Sequence, residues 1–178
     1  RELPPLPAHR HRHGRQPLGV VYRCGRDGTV AAFDAGYTIP NGFAISRAGD
    51  RLYVADSPER VVYVYELAVT GSGRGVRGAR RAWLRVSADH GYPDGMTVDA
   101  EDHLWIAFYE GGCVRRYDPD GVLVRTIELP AGRVTACAFG EGGSTVLYAT
   151  SATRERTCRM VQWFRGERGG ALFALPLA

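Results

Sequence analysis

A chain of 178 residues, 44% hydrophobic and 24% charged, can build one ordinary globular core, and it has no apolar run near the roughly 20 residues of a membrane-spanning helix. Its formal charge of +4 comes from 23 basic and 19 acidic residues, with arginine as the only basic type apart from histidine. Those arginines are scattered among acids over turns and outward positions, which excludes the basic stripe of a nucleic-acid-binding surface.

The chain opens with RELPPLPAHRHRHGRQP, residues 1–17, which is rich in Pro, Arg and His and reads as a mobile arm. His9, His11 and His13 alternate, so an extended backbone would set them on one side. No core surrounds them, and they read as part of a solvated tail. From Leu18 onward the pattern is short apolar runs punctuated by turns, and no helical period persists. VVYRC and TVAAF flank GRDG, a hairpin signal, over residues 18–34. GFAIS, RLYVAD, VVYVYEL and RAWLRV follow in residues 39–87, with the glycine-rich TGSGRGVRGA read as a long loop. GMTVD, LWIAFY, CVRRYD and VLVRTIEL fill residues 92–130. VTACAF, VLYAT and ALFAL fall in residues 133–176, around a polar insert.

These runs form a repeat of about 40 residues. Ile45, Val98 and Ala138 align, as do Tyr53, Trp105 and Tyr148. Four short strands per unit is the mark of β-propeller blades, whose sheets bury their faces against neighbouring blades. The expected fold is therefore all-β, an incomplete propeller of about three and a half blades: a half blade at 18–34 and blades at 39–87, 92–130 and 133–176. Too few blades to close a ring would leave open edges, and self-association through them is expected.

Two of the units begin alike, with IPNGFAIS and YPDGMTVD. Pro-Asn-Gly and Pro-Asp-Gly are turn signatures in themselves. In a propeller, however, the first strand of each blade lines the central channel. Asn41 and Asp94, placed just before two such strands, would offer an amide oxygen and a carboxylate to one axis. Hard oxygen donors suit Ca²⁺, Mg²⁺ or Mn²⁺ better than a soft-ligand zinc site.

From Gly19 to Phe173 the chain resembles the SMP-30/gluconolactonase/luciferin-regenerating-enzyme family. The resemblance is carried by GVVYRCGRDGTVAAF, IPNGFAIS, RLYVADS, YPDGMTVDAEDHLWIA, GGCVRRYDPDG, IELPAGRVTACAFG, LYATSA and GGALF, in that order. It corresponds to the C-terminal part of a six-bladed propeller. It implies a lactone hydrolase with one divalent cation, most often calcium and otherwise Mg²⁺, Mn²⁺ or Zn²⁺, held by a Glu, an Asn and an Asp. Asn41 and Asp94 match the last two, and Asp94 is also the implied general base. The Glu of the first blade has no counterpart here, so weak hydrolysis is expected. The alternative is a non-catalytic propeller fragment or binding scaffold. The implied partner is a small lactone.

Other residues read as structural. Cys24, Cys113, Cys137 and Cys158 lack CxxC spacing and read as buried free thiols of a cytoplasmic protein. His90 and His103 read as isolated surface residues, and Tyr109 as a blade-surface tyrosine near the pocket. Asp56 and Ser57 have no histidine for a triad. Asp118 and Asp120 form a turn, and GSGRG lacks the Lys-Ser/Thr of a phosphate loop.

Overall fold

The computed structural model describes residues 17–70, 73–140, 145–152 and 171–177. Residues 1–16, with their three histidines, and Cys158 lie outside that set. The described chain is all-β, with a single 3-10 turn at Ala88–His90. Among the described residues no helix is long and apolar enough to cross a membrane.

Four antiparallel sheets follow one another along the chain. The first is a hairpin of β1 (Gly19–Cys24) and β2 (Val30–Tyr37). The second holds β3 (Pro40–Ile45), β4 (Arg51–Asp56), β5 (Val61–Thr70) and β6 (Gly73–Arg85), paired in chain order. The third repeats that order with β7 (Tyr92–Val98), β8 (Leu104–Tyr109), β9 (Cys113–Tyr117) and β10 (Leu123–Glu128). The fourth has β11 (Val134–Phe139), β12 (Val146–Ser151) and β13 (Leu172–Pro176). The leading strands are neighbours: β3 packs on β7, and β7 on β11.

Three apolar clusters fill the gaps between successive sheets. Strand β8 shows why LWIAFY is apolar without interruption. Successive strand residues face opposite sides. Leu104, Ile106 and Phe108 turn toward the second sheet and pack with Ala55, Val62 and Val64. Trp105 and Ala107 turn the other way, against Val134, Leu147 and Ala149 of the fourth sheet. Each of these five β8 residues is at most 2% exposed. Burial on both faces demands apolar side chains at every position, so alternation disappears.

The hairpin is held differently. Tyr37 packs on Val54 and Tyr65 of the second sheet. Arg80 reaches from β6 and donates to Asp34 Oδ2 at 2.6 Å, Ala35 O at 2.9 Å and Gly36 O at 2.9 Å. Its guanidinium lies 4.2 Å and 4.7 Å from the ring centres of Tyr37 and Tyr63. Tyr65 donates to the same Asp34 oxygen at 2.5 Å and meets the Tyr37 hydroxyl. Burial pushes the Tyr37 phenol up to about 12, so the cluster keeps both phenols neutral at physiological pH.

Three expectations need correction. Cys24 is exposed at the end of β1, where the last three residues of the strand are all exposed; Cys113 and Cys137 are buried as expected. The glycine-rich stretch 70–79 is not a loop. β5 and β6 continue through most of it as a paired ribbon, with Ala68 opposite Gly75 and Thr70 opposite Gly73. The unit alignment also shifts by one in the last repeat. Ile45 pairs with Leu52 and Val98 with Leu104, and the corresponding pair is Phe139 with Leu147, not Ala138.

Candidate active site

Asn41 and Asp94 lie within strands rather than ahead of them. In β3 the pairing with β4 slips between Pro40 and Phe43, where three residues oppose two. In β7 it slips in the same way between Pro93 and Met96. Each Asn/Asp-Gly pair is thus a β-bulge, which bends the strand and re-aims a side chain. Local hydrogen bonds fix both bulges. Asp56, 1% exposed, accepts from the backbone N–H groups of Thr38 and Ile39 at 2.9 Å each, just before Asn41. Ser57 Oγ donates to Pro93 O at 2.6 Å, just before Asp94. Asp56 and Ser57 are therefore positioning groups for the two strands, a role the sequence does not advertise.

The two bulges meet. Gly42 lies against the Asp94–Gly95 backbone across the gap between sheets, and the Asn41 side chain is near enough to act on the Asp94 carboxyl. Asn41 is exposed and Asp94 half-buried. Burial raises the Asp94 carboxyl to about 6, against the opposing effect of the Gly95 N–H and the Asn41 amide. No guanidinium stands among these influences on the described residues. A half-buried carboxylate beside an amide, with no cationic side chain acting on it among the described residues, fits a hard divalent cation.

A second acidic group behaves differently. Asp99, Glu101 and His103 gather their ligand atoms within 4.8 Å at the turn after β7, so His103 is not isolated. Asp99 already has a cation. Arg116 approaches its Oδ2 at 2.7 Å, and Trp105 Nε1 donates to the same oxygen at 2.8 Å. The backbone N–H groups of Glu101 and His103 donate to Oδ1 at 2.9 and 3.0 Å. Burial pushes the Asp99 carboxyl up, but these hydrogen bonds outweigh it and hold it below the usual 3.8. Its oxygens are committed to the fold. A depressed carboxylate stabilises above its ordinary value and loses that contribution as pH falls through the folded one. Asp99→Ala is expected to cost about 2 kcal/mol at pH 7, and the difference from the parent should shrink as the pH falls below the ordinary carboxylate value of 3.8; urea titrations at pH 7 and in acid measure it.

The remaining candidates are peripheral. Tyr109 pairs with Tyr92 at the Asp94 end of the third sheet, with the Arg133 guanidinium 5.4 Å from its ring centre. His90 sits half-buried in the 3-10 turn. Asp118 accepts from the N–H groups of Asp120 and Val122, as a turn former does. Beside Asn41 an apolar groove of about 630 Å³ opens, lined by Val20, Val21, Phe33, Phe43, Ile45 and Leu52 among others.

Residues 6–153 match the model of the SMP-30/gluconolactonase/LRE-like region. The pentonolactonase XacC of Haloferax volcanii is 36% identical over 162 residues, which cover 90% of this chain and 55% of the relative. Among solved structures, a calcium-binding regucalcin from Agrobacterium tumefaciens superposes with a TM-score of 0.79 at 27% identity, over 92% of this chain and 54% of that one. A gluconolactonase from Xanthomonas campestris gives 0.65 at 28% identity, over 89% and 44%. The chain spans about half the length of the relatives it matches.

Proposed function

This chain belongs to the SMP-30/gluconolactonase/LRE-like family, and on that premise we propose that it serves divalent-cation-dependent opening of sugar-type lactones. The four sheets are read as consecutive blades of a six-bladed ring, with β3, β7 and β11 lining its channel. Asn41 and Asp94 are the protein's oxygen ligands in that channel, with calcium the best-suited ion and Mg²⁺, Mn²⁺ or Zn²⁺ its substitutes. The observation that supports the reading is the meeting of the two bulges, where Gly42 abuts the Asp94 backbone and the Asn41 side chain is near enough to act on the Asp94 carboxyl.

When bound, a divalent cation supplies Lewis acidity toward the lactone carbonyl. Asp94 removes a proton from the attacking water as its oxygen bonds to the acyl carbon. The ring C–O bond then breaks, and the departing alkoxide takes back the proton that Asp94 removed, giving an open hydroxy acid and restoring the carboxylate. Asn41 steadies the carboxylate through its amide. Half-burial of Asp94 limits competing water and strengthens the charges on the reacting atoms.

The test is lactone opening followed by pH-stat with gluconolactone and a pentonolactone, with Ca²⁺ or Mn²⁺ added and then chelated. Turnover that disappears with chelator and returns with metal is the expected result. Turnover indifferent to chelator, or no turnover with metal present, would sink the proposal; cation binding without turnover would favour a binding scaffold.

A further inference from the structure

The inner strands repeat their bulge a third time. In β11, Val134 pairs with Ser151 and Cys137 with Ala149, so three residues again advance against two. Counting from the shared pairs Phe43–Val54, Met96–Ile106 and Cys137–Ala149 sets Thr135 at the position of Asn41 and Asp94. The spacing between strands repeats too. A Cβ on Gly42 would meet Asp94 O at 2.0 Å and Gly95 Cα at 2.6 Å. A Cβ on Gly95 would meet Ala136 Cα at 2.7 Å and Thr135 O at 2.8 Å. The step from β3 to β7 is thus made again from β7 to β11, with backbone against backbone.

We propose that Thr135 is the third wall residue of the well, a specificity-determining group that hydrogen-bonds the hydroxyl substituents of the bound lactone; this rests on the lactonase reading. Thr135 Oγ1 lies 2.8 Å from Thr150 Oγ1 on β12. A hydroxyl has one donor and two acceptor sites, so this bond orients Thr135 and leaves it capacity for a second hydroxyl. A neutral hydroxyl at this corner suits a polyhydroxylated neutral ring, whereas a second carboxylate would repel the Asp94 charge. The sequence hides the residue, because Val-Thr-Ala lacks the Pro-x-Gly punctuation of the other two bulges.

The experiment compares Thr135→Val, Thr135→Ser and Thr150→Val in the full chain with Mn²⁺. Thr135→Val keeps the shape and removes the hydroxyl. The expected result is a KM raised about tenfold with kcat within about threefold of the parent. Thr135→Ser should restore KM, and Thr150→Val should give a smaller rise in the same direction. Mn²⁺ affinity, titrated separately by calorimetry, should be the same in all four proteins. An unchanged KM in Thr135→Val overturns the assignment. So does a parallel loss of Mn²⁺ affinity, which would mean the residue supports the cation instead. If the parent opens no lactone, the lactonase reading fails by itself. The assignment is then decided by calorimetry with gluconate: binding by the parent that Thr135→Val weakens about tenfold upholds it, and absent or equal binding overturns it.

Discussion

Asp94→Asn is expected to lower lactone opening by 10²–10⁴-fold, on the order expected when a general base is removed, and to weaken Ca²⁺ or Mn²⁺ binding at the same time. The amide keeps the size and one oxygen of the carboxylate but loses its charge and its ability to take a proton. Misfolding would also abolish activity, and stability separates the two. The folded carboxyl titrates near 6 and the unfolded one near 3.8, because burial disfavours its charge. A raised carboxyl value means that ionisation opposes folding. The opposition is absent below about pH 4, grows between the two values and is complete above about 6. Because the group is partly exposed, solvent screening reduces the effect to roughly 1 kcal/mol. Metal-free Asp94→Asn should therefore melt at or above the parent temperature at pH 7 and match it at pH 4. A variant that melts well below the parent would show that Asp94 is a packing residue, and unchanged cation affinity would remove it from the site.

Gly42→Ala should be among the most damaging single methyl groups that can be added, costing more than about 3 kcal/mol. The contact it creates is with Asp94 O at 2.0 Å, and that oxygen belongs to the backbone of the next sheet. No rotamer change relieves it. The second and third sheets would have to part, which opens the cluster formed by Val62, Val64, Ile106 and Phe108. Equilibrium urea unfolding measures the loss, and a Gly42→Ala chain as stable as the parent would contradict the close packing of β3 on β7. A conformational explanation of this glycine is not required, since closeness alone forbids the side chain.

The strand order and the repeat are written in local chemistry. Gly-Arg-Asp-Gly, Asp-Pro-Asp-Gly and the apolar run LWIAFY each carry a turn or a doubly buried strand in a few residues. What is not local is harder to read. The bulges at Asn41 and Asp94 look like turns, because Pro-Asn-Gly and Pro-Asp-Gly satisfy turn chemistry wherever they occur. Only pairing with β4 and β8 shows that the strand has already begun. Thr135 is invisible for the reverse reason: its position is defined by the neighbouring strand, and its own residues carry no punctuation. Ala138 fits the repeat as well as Phe139 does, because the small residues of VTACAF suit either register. The amide–carboxylate contact itself depends on the distance between sheets, which the apolar side chains of the intervening clusters determine together.

The long ribbon formed by β5 and β6 has a practical consequence. It extends the second sheet at its outer end, while β3, at the inner end, keeps the same short form as β7. Extra chain at the tip thus leaves the geometry of the inner strands untouched. An epitope or fluorophore-bearing peptide grafted between Thr70 and Gly73 would report on the molecule in a cell or on a surface without crowding its chemistry.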